Sequence, residues 1–459
     1  MFEKSSNFKF VVLIFLIAII SGFFWSFGNF GEPLASDEIH YGKAAINILE
    51  GHNFCYGRGE LCIEPQPLYP LFLSGVFYIF GYNLDAVRFI QLILFAFISV
   101  LGFLLAKKLF NRQVGVYSGL LIGLFYPLAH YSGRLYRELF FTFLVVLFIY
   151  LLYQAYLSTK KTWFILSGIT LGLIMLTNAV AYFLPLLIIF IFLIVYKKKL
   201  FSKKMLICFF FFFFSLIIVL SPWLIRNYYF TGGSADIQGG SILVGRAYLI
   251  DDLKGEYKEH FIGQSFGYFF AKKIDSQLDS RKLSTFPPEI VYRRVEDLSL
   301  LGYDQEEIGK ILQKEAISKI FQSPHLYFLN SFLYFISFNS PMLPDPQTLR
   351  VYRMNNLFID THSEINEFTK GSIILIIRFI WLLFFFFVIY GGIKMIKKDI
   401  LKFSWFISII LYFNIIHSLL FAIPRYALPI WPFYIILFVY GLSMLIKSNS
   451  PETSINGIK

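Results

Sequence analysis

Residues 9–41 read KFVVLIFLIAIISGFFWSFGNFGEPLASDEIHY, and two features of this stretch decide the class of molecule. One is the apolar run from Phe10 to Trp25, preceded by Lys4 and Lys9. The other is the acid pair Asp37-Glu38, which follows a short Gly- and Pro-containing link. The run is long for the apolar part of a secretory signal, and further runs follow it, so it reads as a retained first helix. The whole chain of 459 residues is 57% hydrophobic and 20% aromatic, with only 15% charged residues. Soluble domains carry about 25% charge. The shortfall lies in long apolar segments, several of which reach the roughly 20 residues that cross a bilayer. Inside lipid each backbone N–H and C=O needs a partner in its own segment, so these runs are helical. The expected fold class is therefore an all-α polytopic membrane protein.

Spans are expected at 9–28, 86–106, 114–131, 139–157, 163–180, 181–196, 205–221, 372–393, 403–421 and 428–446, about ten transmembrane helices. Charge orients them. Segments 1–9, 107–113, 158–162, 197–204, 394–402 and 446–459 together hold 18 Lys and Arg against 3 Asp and Glu. Such an excess marks the cytosolic side. The formal charge of +12 is thus mainly a topology signal, with anionic lipid as its neighbour and no nucleic acid implied. The apolar stretch Leu68–Phe80 is too short to cross and reads as a helix on the outer surface.

Three divisions follow: a transmembrane module 1–221 with an external loop at 28–85, an extracytoplasmic region 222–371, and a transmembrane module 372–459. In the second, Asp304-Gln305-Glu306-Glu307 matches a helix capping box. Ile308, Ile311, Leu312, Ile317 and Ile320 follow it at roughly helical spacing. Leu326–Phe338, between Pro324 and Pro341, reads as another surface helix. Gly232-Gly233-Ser234 and Gly239-Gly240-Ser241 lack the Lys-Ser/Thr ending and the strand-to-helix setting of a phosphate loop. The histidines show no metal-ligand spacing. Cys208 lies in a span and reads as packing; Cys55 and Cys62, in the first external loop, are either free thiols or a local disulfide.

The chemistry is sought among charged residues at span ends. Asp37 stands just outside the first span, where a carboxylate can take the proton of an attacking hydroxyl. The plainer reading is that Ser36 or Asp37 caps a helix and Glu38 complements its dipole. The surroundings favour more than capping. Glu64 ends the same loop, Arg88 opens the next span, Glu138 begins another, Arg226-Asn227 follows Trp223 outward, and Arg425-Tyr426 joins the last two spans. The topology places them all on one membrane face. Each arginine alone is explained by snorkelling. Three of them facing an acidic loop fit an anionic headgroup, because guanidinium pairs well with phosphate.

Taken in order, Asp37-Glu38 with Tyr41, Pro67-Leu68-Tyr69, Val87-Arg88, Gly168–Gly172, Pro222-Trp223 with Arg226-Asn227, Gly239-Gly240 with Gly245, and Arg425-Tyr426 with Pro429 resemble the GT-C class of integral membrane glycosyltransferases. Within that class the likeness is to the dolichyl-phosphate-mannose–protein mannosyltransferase and aminoarabinose lipid A transferase group. The resemblance implies transfer of a sugar of hexosyl or mannosyl type from a polyprenyl-phosphate carrier to an acceptor hydroxyl, with inversion, on the outer face of a cell or inner membrane. It maps the catalytic aspartate onto Asp37. Glu38 is implied beside it, with Tyr41, Glu64, Arg88, Glu138, Arg226, Asn227, Arg425 and Tyr426 as substrate-binding residues. Related transferases often carry Glu-Lys-Pro at the end of the first loop; here Pro65 follows Glu64 directly. The acceptor would be a lipid, glycan or protein, and membrane lipids surround the whole. No cofactor motif is present, and Glu38 with Glu64 leaves room for a divalent metal. A transporter or flippase of a lipid-linked sugar is the alternative, but no paired repeats are visible.

Overall fold

The first helix, α1 (Phe2–Ser26), has apolar side chains on every face, as a helix surrounded by lipid and protein should. The computed structural model describes residues 2–52, 54, 66–230, 239–284, 288–341 and 366–449. Cys55, Cys62, Glu64 and Gly232-Gly233-Ser234 lie outside them. Among the described residues all regular structure is helical and there is no strand. It divides into two compact units, one of residues 1–225, 382–410 and 428–459, the other of residues 226–381 and 411–427.

The first unit continues with α2 (Asp37–Leu49), α3 (Leu68–Phe80), α4 (Leu84–Leu109), α5 (Arg112–Gly123), α6 (Tyr126–Tyr131), α7 (Arg137–Ser158), α8 (Lys161–Thr177), α9 (Leu184–Tyr196) and most of α10 (Lys203–Phe230). Among the described residues, seven helices are long and apolar enough to cross a membrane. They match seven of the ten expected spans. Two further spans correspond to the shorter α8 and to the second half of a helix kinked at Asp399, described below. The expected span 114–131 is not one helix. It breaks after Gly123, and Pro127 stands in the first turn of α6. A proline has no N–H to give to the carbonyl four residues back, which here is Gly123, so the ladder stops and restarts.

Glycine sets how closely the spans approach. A Cβ on Gly168 of α8 would lie 2.1 Å from the Phe212 carbonyl oxygen, and one on Gly172 would lie 2.8 Å from Val219. Ser215 Oγ donates to the Ile165 carbonyl across the same seam. Small residues four apart, with a hydroxyl to help, are how helices pack without a hydrophobic driving force between them. Cys208 is buried near this seam.

The second unit holds α11 (Gly239–Asp252), α12 (Tyr257–Phe266), α13 (Tyr268–Ile274), α14 (Glu289–Leu300), α15 (Gln305–Gln322) and α16 (Pro324–Phe338). The expected capping box is present: Asp304 accepts from Glu307 N, and the Glu307 carboxylate accepts from Asp304 N. Ile308, Leu312 and Ala316 of α15 close a core with Val244, Ala247 and Tyr248 of α11 and Val291 and Leu298 of α14. Ile311 and Ile320 pack at its edge, whereas Ile317 points outward. The long α17 (Glu367–Leu419) is two helices joined at Asp399, where the backbone is extended; α18 (Trp431–Asn449) ends the described chain. Gly391 of α17 and Gly441 of α18, both in the first unit, meet backbone to backbone.

Candidate active site

The link between α1 and α2 is fixed at both ends. At its start, Gly31 N donates to both Asp85 oxygens, at 3.0 and 3.2 Å. Asp85 also pairs with Arg88 Nη1 at 2.6 Å, while Arg88 Nη2 donates to the Glu32 carbonyl at 2.6 Å. The guanidinium is buried. Arg88 therefore staples the link to the first turn of α4.

At its end, Ser36 has φ 54° and ψ −133°, in the left-handed half of backbone space that non-glycine residues avoid. Such a conformation costs on the order of 1–3 kcal/mol and persists only where its surroundings enforce it. The Ser36 side chain makes no capping hydrogen bond. Enforcement comes from Glu38. Its Oε2 accepts from Ala35 N at 2.9 Å, and its Oε1 accepts from Leu135 N at 2.9 Å and lies 3.1 Å from Arg134 Nε. Glu38 is 1% exposed, whereas Asp37, the first residue of α2, is only half-buried. The three donors leave little of the Glu38 carboxylate for a metal. Among the described residues no group of three His, Cys, Asp or Glu side chains converges.

The segment that supplies Leu135 N and Arg134 reaches the link because of Gly133. A Cβ there would lie 2.5 Å from Ser26 Cβ and 2.9 Å from the Asn29 amide. Behind it, the fully buried Gln91 of α4 donates to the carbonyls of Arg134 and Ser132 and accepts from the Tyr69 hydroxyl at 3.0 Å. Tyr69 meets the Tyr41 ring edge-on at 5.2 Å. Burial pushes the Tyr69 phenol well above its ordinary range, and Tyr41, Glu138 and Glu38 beside it add to the rise. It stays a neutral donor. Glu138 is buried in the first turn of α7.

Asp37, Glu38, Tyr41, Arg88 and Glu138 thus belong to one unit, and Glu38, Tyr41 and Glu138 gather around Tyr69. Glu64 lies outside the described residues. Arg226, Asn227, Arg425 and Tyr426 belong to the other unit. Arg226 Nη1 donates to Asn227 Oδ1 at 2.9 Å near the end of α10. Arg425 is half-buried in the short helix Pro424–Ile430, its guanidinium 5.6 Å from the Tyr426 ring centre. Arg134, Gln91 and Asp85 are not among the site residues that the sequence suggests, and Tyr69 enters there only through the Pro67-Leu68-Tyr69 motif. Buried Arg and Gln in helical or turn context carry no periodic signal, and the Glu38–Leu135 contact spans 97 positions.

Residues 64–225 match the family model described as dolichyl-phosphate-mannose-protein mannosyltransferase. The match begins beyond Asp37. An Aquifex aeolicus (strain VF5) protein described as uncharacterized is 29% identical over 177 residues, 37% of this chain and 35% of its own. The Archaeoglobus fulgidus oligosaccharyltransferase in its apo form superposes with a TM-score of 0.54 at 14% identity, over 98% of this chain and 51% of that one. The same enzyme, AglB, in complex with an inhibitory peptide and a dolichol-phosphate, gives 0.51 at 14% identity, over 98% and 51%. The chain spans about half the length of these solved relatives. Its fold is all-α, polytopic and GT-C-like, and the resemblance to GT-C glycosyltransferases stands.

Proposed function

We propose that the protein is a glycosyltransferase that moves a sugar of hexosyl or mannosyl type from a polyprenyl-phosphate carrier to an acceptor hydroxyl on the outer face of the membrane. The acceptor is a lipid, glycan or protein. The observation that carries this reading is the unequal treatment of the acid pair. Glu38 is buried and held by three donors, and the strained link it anchors presents a half-buried carboxylate, Asp37, next to the end of the first span. A spectator pair would not need the strain.

The reaction is a single displacement. Asp37 takes the proton of the acceptor hydroxyl as its oxygen forms a bond to the anomeric carbon. The bond from that carbon to the phosphate oxygen breaks, and polyprenyl phosphate leaves with the electron pair. The configuration inverts. Developing phosphate charge calls for guanidinium donors. Arg226 and Arg425 are the residues assigned to that role. Arg88, engaged by Asp85 and the Glu32 carbonyl, is assigned to holding the link. Glu38 acts as a positioning residue. The matched mannosyltransferase family and the dolichol-phosphate held by AglB support a lipid-phosphate donor.

The test gives purified protein a labelled polyprenyl-phosphate sugar in one tube and the matching nucleotide sugar in another. Transfer is expected from the lipid carrier alone. Asp37→Asn should lower it by about 100-fold or more, the scale of a lost general base, with an unchanged melting temperature. Transfer from the nucleotide sugar without any lipid carrier, or wild-type rates from Asp37→Asn, would overturn the proposal.

A further inference from the structure

Within the second unit, α14 and α15 are built like helices of a soluble protein. Val291, Leu298, Ile308 and Leu312 face inward, and the outward side chains are mostly Lys, Arg, Glu, Asp and Gln, with Tyr292, Leu300 and Ile317 interspersed. The helix that follows is built the other way. Beyond its first turn, every exposed residue of α16 is apolar: Phe328, Leu329, Phe332 and Phe335. Its polar side chains Asn330, Ser331 and Ser337, with the hydroxyl-bearing Tyr327 and Tyr334, are all buried. The helix carries no charged residue. Phe321, near the end of α15, is also exposed.

The buried polar face is well used. Ser331 Oγ accepts from Nη2 of Arg246, which is itself buried against the Tyr327 and Tyr334 rings. The face also docks on the spans of its own unit. The Tyr327 hydroxyl donates to the Leu419 carbonyl at 2.6 Å. Just past the helix, the Asn339 carbonyl accepts from Trp381 Nε1 at 2.6 Å, and the Asn339 amide donates to Asn414 Oδ1 at 2.8 Å. These partners measure depth, because the two apolar helices joined at Asp399 run inward from Gly371 and back out to Leu419, as the contacts of one residue, Asn339, with both Trp381 and Asn414 require. At 1.5 Å per residue, Trp381 lies about 15 Å along the first helix from Gly371 and Asn414 about 7 Å along the second from Leu419, both ends being on the same side. One leaflet of hydrocarbon is roughly 15 Å thick. From Tyr327, level with the span's end, to Asn339, α16 therefore descends within a single leaflet. Its 15 residues are too few to cross.

We propose that α16 is a re-entrant helix immersed in that leaflet, with Phe328, Leu329, Phe332 and Phe335 against the acyl chains of the bilayer. A contiguous aromatic face of this kind in water would be an aggregation liability; in lipid it is the ordinary exterior. The proposal stands apart from the chemistry assigned to Asp37.

The experiment places the photoreactive residue p-benzoylphenylalanine at Phe328, at Phe332 or, as control, at Tyr292, which is exposed on α14. Each full-length protein is reconstituted into phosphatidylglycerol and phosphatidylethanolamine vesicles, irradiated and read by mass spectrometry. Phospholipid adducts are expected at 328 and 332 and absent at 292. Absence of lipid adducts at 328 and 332 would overturn the proposal. So would cross-links from these positions to a second copy of the chain, which would make the face a protein interface instead.

Discussion

The residue that most repays attention at the smallest scale is Arg134, because it supports an acid it does not resemble in sequence position. It gives Glu38 one of three donors, and hydrogen bonds to charged groups are worth about 1.5–3 kcal/mol. Removing it leaves the two backbone donors in place, so the fold should survive while the Ser36 turn loosens. In the proposed reaction Arg134→Gln should lower kcat by about tenfold or more with KM nearly unchanged, since an effect confined to transition-state geometry falls on kcat. Arg134→Lys should recover part of the loss. A purely structural role would instead appear as lost melting temperature with kcat intact. Asp37 and Glu38 were visible in the sequence because adjacent acids just beyond an apolar run are unusual. Arg134 and Gln91 were not, because their partners come from distant segments brought together by the Gly133 approach. Arg88 was visible as a charge at a span end, but its engagement with Asp85 and the Glu32 carbonyl requires the folded link.

Between helices, the sequence marked Gly168 and Gly172 only as a family-like motif; the fold supplies the reason. Gly168 faces a backbone carbonyl that cannot move aside, whereas Gly172 faces the Val219 side chain. Gly168→Ala should therefore destabilise more than Gly172→Ala, by about 1–3 kcal/mol as overpacking usually costs, read as a fall in melting temperature in detergent. Equal losses would mean that the seam can open. In the second unit the α11–α14–α15 core is tied by charge. The Glu315 carboxylate accepts from Arg294 at 2.6 Å and from the Tyr248 hydroxyl. Arg294 holds the Glu315 carboxyl below its ordinary value of 4.5. A carboxyl depressed on folding contributes stability that is present above its unfolded value and is lost as pH falls through the native one. Wild-type protein should thus lose melting temperature below about pH 4.5 more steeply than Glu315→Gln. Parallel acid profiles would remove Glu315 from the account. The capping box at Asp304 was legible because it is a local pattern. The break between α5 and α6 was not, because hydropathy continues through it and only Pro127 hints at the interruption.

Across the whole molecule, the fold class was legible from where charge is missing, and where charge collects sets an expected orientation. Apolar length specifies spanning helices because lipid offers no partner for a backbone group. Lysine and arginine then decide which ends stay in the cytosol. The expected arrangement places the turn at Phe110–Arg112 and the Lys197–Lys199 and Lys394–Lys402 segments in the cytosol. It places the link bearing Asp37 and the α11–α15 segment outside. Labelling from one side of the membrane tests this directly. Gln113 is exposed in the first turn of α5, and replacing it leaves the Asn111 cap, which accepts from Val114 N, intact. Ser276 is exposed after α13. In a background with Cys55 and Cys62 changed to Ser, Gln113→Cys should resist an impermeant thiol reagent in intact cells, and Ser276→Cys should react. Both should react once the membrane is permeabilised. The opposite pattern in intact cells would put Asp37 in the cytosol, where nucleotide sugars are plentiful, and a lipid-phosphate donor would lose its compartmental argument along with its orientation.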